Sequence, residues 1–206
     1  MTQEHLERIL DELVLGRVND PKLKLYALVD AASNKAIFPR LNECPHKKSC
    51  LYKGAPPKLE RAAPWLVAVE EGNGAFVEWL VDEGWGNNWA IYLLTNASLG
   101  ELRKHFRRFL QVYRTDGRKL YFRFSDPRVL RGYLPTCTKE ELDFVFGPTS
   151  EFLIAGNDPS ALFRLTLDEE EGLNREVVSF APPVAPPVEP EAEAEAQAAP
   201  AEDVPP

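Results

Sequence analysis

Long apolar runs are missing from this chain. No stretch of its 206 residues approaches the ~20 consecutive apolar positions that a membrane-crossing helix needs. Histidine and cysteine are scarce, three of each. A small, odd number of thiols argues against a disulfide framework and fits a reducing compartment. His5, His46 and His105 lie far apart, which leaves little material for a metal centre or a general base. Cys44, His46 and Cys50 could supply three zinc ligands, but the fourth is missing and the spacing matches no standard finger, so a loop with incidental cysteines is expected. There is no phosphate-binding P-loop, no glycine-rich dinucleotide fingerprint, no nucleophile elbow and no His-Glu-x-x-His zinc signature. His105, Asp126 and Cys137 can be written down as a triad, yet nothing in their spacing supports it. The expectation is a protein that is not an enzyme, with no catalytic residue, no cofactor and no metal. The N-terminus, MTQEHLERIL, has acids and an amphipathic pattern where a signal peptide would have a basic start and an apolar core, so a cytoplasmic location is expected.

What the chain does have is unevenly placed charge. The net charge is −8, and residues 181–206 contribute six acids and no base. Residues 98–131 hold ten Lys/Arg against Glu101, Asp116 and Asp126, a local balance of +7. A basic face on an otherwise acidic domain points to internal pairing or to an acidic partner. Arginine interleaved with Phe and Tyr also suits a nucleic-acid surface, so a nucleic-acid-binding module built on residues 103–131 is the alternative. The plainer reading puts most of these rings in the core.

Local signals are densest from residue 98 to 148. Ser98 with Glu101, and Thr138 with Glu141, have the spacing of capping boxes. Leu102, Phe106, Phe109 and Leu110 form one apolar helical stripe, with Arg103, Lys104, Arg107 and Arg108 largely off it. Asp116-Gly117 reads as a hairpin turn. Residues 120–125 alternate like a strand, with Phe122 and Phe124 on one face. Asp126-Pro127 starts a helix, because Asp caps and Pro has no N–H to lose at the first position. Elsewhere, residues 3–15 read as a short amphipathic helix. Residues 23–32 read as a buried strand of the parallel-sheet kind, with Asp30 capping the turn that follows. Strands are also expected over 65–69, 89–95 and two segments after Pro148, and a helix over 76–81.

These pieces predict an α/β or α+β fold, a mixed sheet with flanking helices that can divide into two lobes. An N-terminal helix (1–22) precedes a domain (23–167, lobes roughly 23–97 and 98–167). A charged linker and an acidic Pro/Ala/Glu-rich disordered tail (168–206) follow, too poor in apolar surface to offset the entropy of ordering.

Several motifs occur in a characteristic order: YALVDAA, Leu51-Tyr52-Lys53-Gly54, APWLV, Gly84-Trp85-Gly86 with Trp89, LRKHFRRFLQV and LYFRFSDPRVLRGYLPTCTKEELDFVFGP. Together, over about residues 24–155, they resemble the bacterial type VI secretion effector-chaperone (adaptor) family, long catalogued as a domain of unknown function. One departure is Phe124-Ser125, where the family more usually has an aromatic residue just before the DPRV segment. The resemblance implies a cytoplasmic, non-enzymatic protein that binds a secreted toxic effector, one encoded next door, and helps load it onto the spike-tip protein. No membrane and no nucleic acid would be involved. The family's motif positions carry over as Arg107, Arg123, Asp126, Pro127 and Arg128. Arg123, Asp126 and Arg128 are expected to form a charge network at the strand-to-helix junction. Arg103 and Arg107 join them as candidate partner-binding or structural residues.

Overall fold

The computed structural model describes residues 1–52, 54–69, 74–113, 116–168, 170 and 172–180. The tail expected over 181–206 lies outside them, as does Lys53.

Two capping boxes form as their spacing predicts. Ser98 opens α5 (Leu99–Phe106) and Thr138 opens α7 (Lys139–Phe146), each hydroxyl accepting from the Glu amide three residues on. Asp126 caps α6 (Pro127–Tyr133) by accepting from the Arg128 amide, and Pro127 takes the first helical position. A 3-10 turn (Leu134–Thr136) follows α6. α5 stops at Phe106 rather than running on to Leu110, although Phe109 and Leu110 are buried as the stripe requires. The N-terminal half supplies α1 (Gln3–Asn19), α2 (Ile37–Glu43), the short α3 (Pro57–Glu60) and α4 (Ala75–Gly84).

The strands are β1 (Lys24–Asp30), β2 (Lys48–Cys50), β3 (Pro64–Val69), β4 (Ala90–Thr95), β7 (Glu151–Ala155), β8 (Ala161–Asp168) and β9 (Gly172–Ser179), with β5 (Gln111–Tyr113) and β6 (Lys119–Tyr121) forming a separate hairpin. The main sheet has the order β2-β3-β1-β4-β7-β8-β9, drawn from both sides of position 97. Every pairing between its described strands is antiparallel, with Leu28 of β1 opposite Leu66 of β3 on one side and Ile91 of β4 on the other. The parallel-sheet reading of residues 23–32 is therefore corrected. A continuous apolar run reports burial on both faces, not strand direction.

Both faces are covered. Leu25, Ala27 and Val29 meet Ile9 and Leu13 of α1, Ile37 and Leu41 of α2, and Val77, Leu80 and Val81 of α4. Tyr26 and Leu28, alternating with them, meet Leu102 and Phe106 of α5, Leu130 of α6, and Leu142, Val145 and Phe146 of α7. Trp85 and Trp89, flanking the Gly86 turn, fold back into the first core. The result is a three-layer α+β sandwich with helices on both sides of the sheet. No helix among the described residues is long and apolar enough to cross a membrane.

Two further expectations change. The strand read over 120–125 ends at Tyr121. The charged stretch from 168 is not a linker as far as Ser179: residues 172–179 form β9, whose eight residues all pair with β8. Its polar side chains concealed it, because an edge strand covered little on either face shows no apolar alternation.

Candidate functional site

Three arginines of the basic segment turn inward along one end of the sheet. Arg107, at the C-terminus of α5, donates through Nε to the Leu51 carbonyl (2.7 Å) and through a terminal nitrogen to that of Cys50 (2.9 Å), at the end of β2. Arg123 donates through Nε to the Asp30 carboxylate (2.6 Å), at the end of β1, and through a terminal nitrogen to the Ser33 hydroxyl (3.2 Å). Arg131 donates to the carbonyls of Ala155 and Gly156, where β7 ends. One stretch of chain thus clamps the first, third and fifth strands of the sheet, β2, β1 and β7.

Asp126 joins the middle clamp. Arg128 binds it through two nitrogens (3.0 and 2.7 Å), and Arg123 lies 3.7 Å away. Burial alone would raise the Asp126 carboxyl, but the Arg128 hydrogen bonds and the nearby guanidinium charges outweigh it and hold the group below the usual carboxylate range. Asp30 is the member that the sequence did not reveal. It is 1% exposed, and it also accepts from the Ala32 amide, the turn-capping role expected of it. Ser125, just before Asp126, is buried beside this cluster.

The other sequence candidates separate. Arg103 and Lys104 are exposed on α5. His105 is buried between α5 and α7, its Nε2 2.9 Å from the Val145 carbonyl, and burial lowers its pKa, offset in part by that hydrogen bond. Cys137 lies 3.5 Å from the Tyr133 carbonyl, and burial pushes its thiol up. His105, Asp126 and Cys137 therefore hydrogen-bond to three different partners. Among the described residues no group of three or more His, Cys, Asp or Glu is placed to hold a metal, Cys44, His46 and Cys50 included.

The hairpin is the outward part of the same segment. Gly117, at φ +79°, makes the turn. Val112 and Leu120 are directly opposite across its two strands and both are exposed. On the other hairpin face Tyr121, 56% exposed, meets Tyr52 with ring centroids 5.5 Å apart. Below them lies a groove of ≈ 440 Å³ lined by Leu51, Tyr52, Pro56, Leu59, Arg107 and Tyr121. Leu59 is exposed at its rim. A paired apolar surface of this kind, rimmed by cations such as Arg118, is typical of a protein-contact site. Arg107 belongs to both structures, clamping β2 while lining the groove.

The sequence profile of a family described as a domain of unknown function, DUF4123, matches residues 25–143, more than half of the chain. No curated protein and no solved structure matches it.

Proposed function

The chain belongs to the DUF4123 family, a domain of unknown function, and on that premise we propose that it is a cytoplasmic, non-catalytic adaptor that binds a type VI secretion effector and helps load it onto the spike-tip protein. The ordered motifs from YALVDAA to FGP support the assignment to secretion adaptors. The observation that carries a binding role is the exposed hairpin, with Val112 and Leu120 on one face and Tyr121 on the other, above an aromatic groove. Effector segments that are apolar and acidic would fit a surface of this composition.

The inward arginines weigh against the nucleic-acid alternative. Arg107, Arg123, Arg128 and Arg131 are spent on carbonyls and carboxylates of the protein itself, which removes four of the ten cations of the segment from any phosphate-binding face. Co-expression with the product of the neighbouring gene, followed by pulldown, tests the adaptor reading. Specific co-purification, with the partner insoluble or degraded when this protein is absent, is the expected result. Capture of neither that product nor a spike-tip protein would overturn it.

A further inference from the structure

The sheet has two edges, and they are not alike. β2 is three residues long and its terminal carbonyls are held by Arg107. β9 is eight residues long, and among the described residues no strand pairs with its outer side; Arg8 of α1 holds only its last outward carbonyl, that of Ser179 (3.2 Å), together with that of Phe180 (3.0 Å), which leaves Leu173 to Val177 uncovered. Natural sheets rarely leave so long an edge uncovered without a use for it.

The parity of the outer edge follows from one bond. Phe180 donates its amide to the Ser160 carbonyl (2.6 Å), and Ser179 pairs with Ala161. Ladder bonds alternate along an antiparallel pair, so Asn174, Glu176 and Val178 bond inward to β8 while Leu173, Arg175 and Val177 turn their N–H and C=O groups outward.

A groove flanks this edge on each face of the sheet. On the side of α7, ≈ 610 Å³ is lined by Leu134, Leu142 and Leu173 together with Lys139, Arg175 and Glu170, a lining of net positive charge that disfavours a further cation. On the side of α1, ≈ 650 Å³ is lined by Glu12, Asp20, Glu151 and Glu176, against the single cation Arg164. Arg164 already contacts three of those carboxylates, Glu12 at 3.1 Å, Glu151 at 2.6 Å and Glu176 at 3.4 Å, and the surplus stays negative. A strand added beside β9 would send alternate side chains into these two grooves, apolar ones toward α7 and cationic ones toward α1.

We propose that the outer edge of β9 accepts an extended segment of the partner protein as an additional strand, one in which basic and apolar residues alternate. The inference rests on the adaptor reading and gives it a second surface, remote in sequence from the hairpin and outside the matched residues 25–143. A second copy of this chain fits poorly. The two symmetric antiparallel registers that cover most of β9 centre on Arg175 or on Glu176, and each sets that charge against its own copy.

The test uses the full chain and a blocked peptide of alternating lysine and valine, matched to β9 in length. Binding is read by anisotropy and by amide exchange. We expect affinity in the wild type that falls at least about tenfold in Val177→Lys and in Val177→Pro, which removes one outward N–H and no bond to β8. Exchange should slow at Leu173, Arg175 and Val177. Glu78→Gln, on the exposed side of α4, should bind as wild type. Unchanged affinity in both Val177 variants, or protection elsewhere, overturns the proposal. So does protection of those amides in the chain without peptide, which would assign the edge to residues 181–206, or a dimer abolished by Val177→Lys, which would assign it to a second copy. Pulldown of the neighbouring gene product separates the two readings. Equal capture by wild type and Val177→Lys sinks the edge and leaves the adaptor standing, whereas no capture by wild type sinks the adaptor and leaves the peptide to decide the edge.

Discussion

The two edges of the sheet carry the same device, an arginine on their last carbonyls, on strands of very different length. β2 is short, and a guanidinium occupies the carbonyls at its end. β9 is long; Arg8 holds the carbonyls at its end in the same way, but the stretch from Leu173 to Val177 has only its charges, Arg175 and Glu176, to discourage unwanted pairing. An end clamp closes a three-residue edge; on eight residues it leaves the middle uncovered. The closed edge lies inside the segment that defines the family and the open one outside it. The matched segment is thus stapled, and the longer uncovered edge, where we place a partner strand, lies beyond it.

The largest effect should come from proline on the inner side of the open edge. Val178→Pro removes a ladder bond to β8 and should cost about 3 kcal/mol, read by chemical denaturation. The same substitution one residue earlier should cost far less, and equal losses would break the parity on which the contrast depends. On the closed edge, Arg107→Ala removes two charge-assisted bonds and should cost about 2 kcal/mol, with faster amide exchange in β2. Arg123→Ala leaves Asp30 buried without its guanidinium. Because Arg123 is 45% exposed, the cost should be about 2 kcal/mol, below that of a fully buried pair. A fully soluble, thermally unchanged variant would count heavily against the clamp.

Acid should act on the stapled side. The Asp126 carboxyl is depressed by folding, so its contribution is present above its ordinary value near 3.8 and is lost as pH falls through the folded value. Asp126→Asn should flatten that limb of the stability profile. His105 is also lowered by folding, but as a base it is favoured neutral. Stability should therefore decline as pH drops below the ordinary imidazole value of 6.5, a slope that His105→Gln removes. The smallest effect belongs to the open edge: Val177→Lys, on an exposed side chain, should change stability by less than about 0.5 kcal/mol.

Local chemistry was legible in the sequence. Ser98 with Glu101, Thr138 with Glu141, and Asp126-Pro127 set helix starts through contacts a few residues apart, and the buried strands announced themselves by apolarity. Long-range partnerships were not. Asp30 and Arg123 are 93 residues apart, and nothing near either one specifies the other. Strand direction is not legible in the sequence, because a strand covered on both faces looks the same whichever way its neighbours run. β9 was passed over because Asn174, Arg175 and Glu176 face solvent, and the ladder that makes them a strand is supplied by β8.

The strand order also sets a schedule for the chain as it is made. β1 to β4 emerge early and can pair among themselves, but the far side of β4 must wait for β7, which begins only at Glu151. At about 5–20 residues per second, ribosomal synthesis leaves that flank without its neighbour for on the order of several seconds. During that interval α5 and the arginine segment are the next to appear, and Arg123 can reach Asp30 before β7 exists. The clamp on β1 is therefore available as a temporary brace for a half-built sheet, and the clamp on β7 by Arg131 can close only after the sheet has gained its second half.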